Sequence, residues 1–368
     1  MSANYTLDDS LELEDPVSKT KGAITGNLYL PNSNKHEIGI VLGGGILGSR
    51  WGIHDIADRI VSELEQPLIT LDPPPHFKNK QDFRFGNYAT SMRIAVQYLR
   101  NEYGVERFVG GGHSGGAIAS LFANMGYSKR VEDIVINYMA NGMPYSQKEL
   151  EEALAEFNDL PKFDGLVIAA LPRDVRGTIP GYAFNPLALK ILHGFFLLQN
   201  RGGKTPYLGK DSERPYQWKQ ISVQDLEETN QYVAILQRNP VEYLNFLQKV
   251  KEEASENLAG LAQEHIDALT NACKLFIVPG KDINNFGPKV LVNSLLFINY
   301  VPRAEIEFLK TAFDAFIGEN DAYLEFPRAA HFLNSSGKFE ADSLFGLQAP
   351  EVQDKVIRFI KHNFLGSQ

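Results

Sequence analysis

The sequence holds a single cysteine, Cys273, among 368 residues. One thiol cannot form an internal disulfide, so nothing points to an oxidising compartment, and a thiolate-rich zinc site is not expected. The eight histidines, at 36, 54, 76, 113, 193, 265, 331 and 362, include no pair with metal-ligand spacing. Basic charge is also in short supply. The formal net charge of -9 argues against general binding to nucleic acid or to anionic membrane, both of which need a basic surface. No apolar run is long enough to span a bilayer: Leu187 to Gln199 is too short and is interrupted by Lys190 and His193. The N-terminal MSANYTLDDSLELEDP is acidic and lacks the apolar stretch of a signal peptide, so the expected compartment is the cytoplasm.

What is present is ordinary globular material, 43% hydrophobic and 22% charged, with ample apolar residues for a core. The length suits one large domain with insertions, or two domains. Residues 1–16 read as a flexible acidic tail. Strands are expected at Ile24–Pro31, Glu37–Leu42, Pro67–Asp72, Arg107–Gly111 and Asp133–Tyr138. Between them, Ile53, Ile56, Ala57, Ile60 and Leu64 share one helical face, as do Met92, Ala95, Val96, Leu99 and Tyr103. A helix of small residues is expected from Gly115 to Met125. Strands alternating with helices predict an α/β protein, with a mostly parallel central sheet covered by helices on both faces.

That rhythm stops over 144–261, where helical spacing continues, broken at Pro240, without a convincing strand. This block reads as a helical cap insertion. The rhythm resumes with strands at Lys274–Gly280 and Ala322–Pro327 and a last helix through Val352, Val356, Ile360 and Phe364. The core is therefore expected to comprise 17–143 and 262–368.

Two glycine-rich stretches carry the chemistry. In IVLGGGILGSR (Ile40–Arg50), Gly43, Gly45 and Gly48 spell G-x-G-x-x-G behind a strand, and Asp72 ends the next strand. That combination suits the pyrophosphate and ribose of a nicotinamide dinucleotide, and so an NAD(P)-dependent oxidoreductase. The same loop equally suits a set of backbone N–H groups aimed at an oxyanion. The second stretch, Gly112-His113-Ser114-Gly115-Gly116, is a G-x-S-x-G between an expected strand and an expected helix. A serine on so sharp a turn leaves no room for side chains at its neighbours, hence the glycines. The turn lifts the hydroxyl clear of the sheet and puts the Gly115 N–H at a helix N-terminus. A serine nucleophile needs a base, and the base an orienting acid. Asp282 and His331 each follow a strand, in the order serine, acid, histidine.

IVLGGGILGSR, FVGGGHSGGA, LFIVPGKD and PRAAHFLN together resemble the α/β-hydrolase superfamily, over roughly 20–140 and 262–368. The resemblance implies Ser114 as nucleophile, His331 as general base and acid, and Asp282 as its orienter. Asp321 and Asp314 are the alternative acids in the sequence should Asp282 not fill that role. It implies an oxyanion hole of the Gly115 N–H with that of Ile46, or of Gly45 next to it. Gly44 stands where many members carry histidine, and 49 residues separate Asp282 from His331, more than is usual. His113 is expected to pack beneath the turn.

The expected activity is that of a serine hydrolase cleaving an acyl bond, a carboxylic ester first, by way of an acyl-enzyme. Thioester cleavage or acyl transfer would use the same parts. No cofactor is expected. The partner is a small-molecule acyl substrate with an apolar moiety, suggested by Phe195, Phe196, Leu197, Leu198, Tyr232, Tyr243 and Phe246 taken together, any single one of which more readily belongs to the cap's own core; a homo-oligomer is left open. Besides the oxidoreductase, a hydrolase-like protein that binds a ligand without turnover is the remaining alternative.

Overall fold

A computed structural model describes residues 4–15, 19–33, 36–45, 50–74, 78–82, 84–142, 144–171, 240–279, 303–318, 320–326, 347 and 349–366. Within them one eight-stranded sheet forms from β1 (Tyr5–Leu13), β2 (Ile24–Pro31), β3 (Gly39–Gly43), β4 (Leu68–Leu71), β5 (Phe108–His113), β6 (Gly165–Ala169), β7 (Cys273–Pro279) and β8 (Ala322–Phe326). Their order across the sheet is β1-β2-β4-β3-β5-β6-β7-β8. β2 is antiparallel to both neighbours, and every pair from β4 to β8 is parallel. β3, β4 and β6 are buried throughout, as expected of strands covered on both faces.

The helices divide between those faces. On one lie α1 (His54–Leu64) and, from the far end of the chain, α9 (Pro350–Phe364). On the other lie α2 (Phe85–Tyr103), α3 (Gly115–Asn124), α4 (Lys129–Asn141), α5 (Gln147–Ala155), α6 (Pro240–Glu253), α7 (Glu256–Asn271) and α8 (Arg303–Phe316). The expected faces do the burying: Ile56, Ala57, Ile60 and Leu64 on α1, and Met92, Ala95, Val96 and Leu99 on α2. α2 begins a full two turns upstream of that face, so Tyr88 is buried on it as well. α3 is buried along its whole length between α2 and the sheet, which its small residues permit. The expected fold class, a mostly parallel sheet between two helical layers, is the one observed.

Three readings of the sequence need correction. Residues 1–16 are not all tail, because Tyr5–Leu13 pairs with β2 as the sheet's edge strand. Leu11 and Leu13 are buried, whereas Asp8, Asp9 and Glu12 face water. Outward acidic charge suits an exposed edge, since it discourages pairing with another chain. Asp133–Tyr138 is not a strand but the middle of α4. Ser128 caps that helix by accepting the Val131 N–H at 3.3 Å, Gly142 ends it at φ 63°, and Val131, Ile134 and Val135 form its buried face. Finally, the stretch 144–261 does contain a strand: β6 is a central one, between β5 and β7. Pro240 starts α6, where its missing N–H has no intrahelical partner to lose, and the residues before it lie outside the described ones. The Leu187 run lies outside the described residues, as do Phe195–Leu198 and Tyr232. Among the described residues no helix is long and apolar enough to cross a membrane.

Candidate active site

Parallel strands place their C-terminal ends along one edge of the sheet, and the loops that leave this edge build the site. β5 ends there at His113, and α3 begins at Gly115. Ser114 occupies the single residue between them, half-buried, with φ 56° and ψ -113°. A positive φ on a residue with a Cβ costs on the order of 1–3 kcal/mol, so the surroundings must impose it. They do so from both sides. The Ser114 N–H donates to the Ala169 carbonyl at the end of β6 (2.9 Å), and the Ser114 carbonyl accepts the Ile118 N–H (3.2 Å) as α3 starts. The Ser114 side chain does not cap its own helix, which leaves the hydroxyl free of that duty. The Gly115 N–H lies in the first turn of α3, where amide protons have no intrahelical acceptor and the helix dipole favours negative charge. His113 is buried, as the sequence suggested for the residue beneath the turn.

The other glycine stretch presses against this elbow. Gly43 pairs with Gly112 in the register of β3 and β5. A Cβ on Gly112 or on Gly116 would collide with the Gly43 carbonyl oxygen. A Cβ on Gly43 would in turn strike the Met92 side chain and come within 2.6 Å of the Tyr88 hydroxyl. The glycines at 112 and 116 are thus explained by backbone meeting backbone, and the one at 43 by the side chains of α2 packed against it. A Cβ built on Gly45 would stand 3.4 Å from the Ser114 Cβ and 3.4 Å from His113 Nδ1, so the loop passes directly beside the serine.

Both ends of that loop are anchored. The buried Tyr88 hydroxyl donates to the Gly44 carbonyl at 3.0 Å. Beyond the loop, Arg50 is buried against Asp72: its backbone N–H donates to Oδ1 at 2.8 Å, its Nε to Oδ2 at 2.8 Å, and its guanidinium pairs with Oδ2 at 2.6 Å. The Thr25 hydroxyl donates to the same Oδ2 at 2.6 Å. Burial pushes the Asp72 carboxyl up from its usual range, and Arg50 and Thr25 oppose that shift. With both oxygens engaged and no side-chain exposure, Asp72 is not placed to meet a ribose. The dinucleotide reading loses its acidic residue, and Gly43 is used for packing. Sequence reasoning missed Arg50 and Tyr88; an earlier start for α2 would have put Tyr88 four residues before Met92 on the same face.

Of the remaining candidates, Ile46, Gly48, Asp282 and His331 lie outside the described residues. Asp321, an alternative acid, is occupied elsewhere. It precedes β8, at the opposite edge of the sheet, and its buried carboxylate pairs with Lys274 Nζ at 3.0 Å and accepts the N–H groups of Lys274 and Gly318 at 2.7 and 2.6 Å. Asp314 is exposed near the end of α8, which leads to that same far edge. Among the described residues, no three His, Cys, Asp or Glu side chains converge to hold a metal ion.

A sheet in the order 1-2-4-3-5-6-7-8, with its second strand antiparallel and a serine on the turn after the fifth, decides the architecture. The fold is that of the α/β-hydrolases. No protein-family model and no curated protein matches the chain. Among solved structures, the chain is similar to the Pyrococcus furiosus esterase Pf2001, at 13% identity and a TM-score of 0.48, over 99% of this chain and 94% of that one. It is similar to carboxyl esterase 2 of Tuber melanosporum at 14% identity and a TM-score of 0.46, over 99% and 86%. MenH from S. aureus gives 12% identity and 0.46, over 91% and 97%.

Proposed function

We propose that the chain is a serine hydrolase that cleaves an acyl bond, a carboxylic ester first among the candidates. The observation that carries the reading is the backbone of Ser114, held at positive φ on the turn between β5 and α3, with Gly45 alongside. A position that costs energy and presents a hydroxyl at the C-terminal edge of a parallel sheet is one a nucleophile requires.

In this reading Ser114 attacks the substrate carbonyl while His331 takes its proton, and Asp282 orients and stabilises the imidazolium. The Gly115 N–H and that of Ile46 or Gly45 hold the oxyanion, His331 returns the proton to the leaving group, and water then releases the acyl group by the same route. The strand order supports the assignment. β7 stands about 10 Å from β5 and β8 about 14 Å from it, at roughly 4.8 Å per strand. Asp282 follows the end of β7 by three residues and His331 follows the end of β8 by five. At about 3.5 Å per residue those connections reach roughly 10 and 17 Å, enough to bring both side chains to Ser114. A cap inserted after β6, within 144–261, would cover the site and supply the apolar lining for a substrate with an apolar moiety.

A fluorophosphonate probe tests the reading directly. It should label the folded protein at Ser114, and Ser114→Ala should lose both labelling and turnover of a short-chain nitrophenyl ester with little change in melting temperature. Folded wild-type protein that resists the probe would overturn it.

A further inference from the structure

We propose that Tyr88 is a positioning residue for the oxyanion site: its hydroxyl fixes the Gly44–Gly45 peptide and so aims the Gly45 N–H at the carbonyl oxygen of a substrate on Ser114. The proposal rests on the serine-hydrolase reading above and assigns the second oxyanion donor within it.

The argument is stereochemical. In a trans peptide the C=O and the following N–H point in opposite directions, so holding one sets the other. The Gly44 carbonyl points down to α2, where Tyr88 donates to it at 3.0 Å. The N–H of the same peptide belongs to Gly45 and is therefore directed away from α2. Gly45 passes next to Ser114, its would-be Cβ 3.4 Å from the serine Cβ. A peptide between two glycines has no side chain to restrict it and would otherwise swing readily. The loop also cannot drift as a body, since Gly43 just before it is held in the sheet on both sides, paired with Leu71 of β4 and Gly112 of β5. Tyr88 is fully buried and sits near the Asp72 charge, and both keep its hydroxyl protonated and a donor at any working pH. Oxyanion donors work only when aimed beforehand at the charge that develops in the transition state. A donor set free to rotate loses transition-state stabilisation but not ground-state binding.

The test uses the full-length protein and the Tyr88→Phe variant, which removes one oxygen and keeps the ring. Turnover of a nitrophenyl ester and the rate of fluorophosphonate labelling at Ser114 are both measured well below the melting temperature of each protein. The expected result is a fall of about 10- to 100-fold in kcat and in labelling rate, with KM within about twofold. Met92→Leu is the packing control, because Met92 touches the same glycine without donating a hydrogen bond; it should retain wild-type kcat. A labelled, active wild type with unchanged kcat in Tyr88→Phe overturns the positioning role alone, as does an equal loss in Met92→Leu. A folded wild type that the probe does not label overturns the hydrolase reading itself and this role with it.

Discussion

Ser114 holds a φ of 56° that glycine would adopt without penalty, and no hydrogen bond from its side chain caps α3. Replacing it by glycine therefore removes strain of on the order of 1–3 kcal/mol without deleting a cap. Glycine also enlarges the conformational freedom of the unfolded chain, which costs about 0.4–1 kcal/mol in the other direction. The first effect is the larger. Ser114→Gly is expected to raise stability by about 1 kcal/mol, read as a higher urea midpoint at unchanged slope, while removing the nucleophile. Ser114→Ala keeps the Cβ and hence the strain, and should sit at the wild-type midpoint. A Ser114→Gly protein less stable than Ser114→Ala would show that the turn does not strain the residue. The steric logic at this position is local, which is why the elbow could be read from five consecutive letters.

The glycine loop is an element clamped from outside itself, by Tyr88 on Gly44 and by Asp72 on Arg50. Asp72→Asn keeps the shape of the clamp but leaves the Arg50 guanidinium buried without its counter-charge. Breaking one side of such a pair costs about 3–5 kcal/mol, far more than the pair adds when intact. Chemical denaturation of the variant should show a loss of that order, and a loss under about 1 kcal/mol would mean that water reaches Arg50. Nothing in the letters 40–50 announces this clamp. Asp72 looked like a ribose ligand because its position at a strand end is shared by two folds, and only the pairing of β2 with β4 brings Thr25 to it. The misread elements have equally physical causes. In α4 a β-branched run, Ile134-Val135-Ile136, outweighed a serine cap and a glycine stop with the thirteen residues of the helix between them. In β1 acidic residues on the outer face hid the alternation of Tyr5, Leu7, Leu11 and Leu13. β6 is five buried residues with no period to detect, and a strand buried on both faces carries none. The long amphipathic helices and the parallel strands that end in glycine or proline were legible because their pattern is internal to the segment.

At the scale of the whole molecule, two buried ionisable groups set opposing pH dependences on the same side of the sheet. His265 on α7 is buried against Gly126 and faces the Leu154 carbonyl at 3.3 Å. Burial, with the charges of Lys162 and Arg93 adding to it, lowers its pKa to about 4. Its native state is neutral, so unfolding takes up a proton between pH 4 and 6.5; that contribution to stability is full above 6.5 and is lost as pH falls towards 4. Glu132 on α4 accepts the Gly86 N–H at the start of α2 at 3.0 Å, and burial raises its pKa to about 7. Its native state is protonated, so unfolding releases a proton between pH 4.5 and 7; that contribution is full below 4.5 and is lost as pH rises through 7. Each slope is at most about 1.4 kcal/mol per pH unit, and from pH 4.5 to 6.5 they oppose one another. Removing one should expose the other. Glu132→Gln keeps an acceptor for Gly86 and has no charge to bury, so its stability relative to wild type should climb as pH rises from 4.5 to 7, by up to about 3 kcal/mol, and level off beyond. Urea midpoints of both proteins across that range measure the difference directly. Residues common to the two proteins cancel in it, so a difference that stays flat from pH 4.5 to 8 would mean that Glu132 titrates in the folded protein as it does in water.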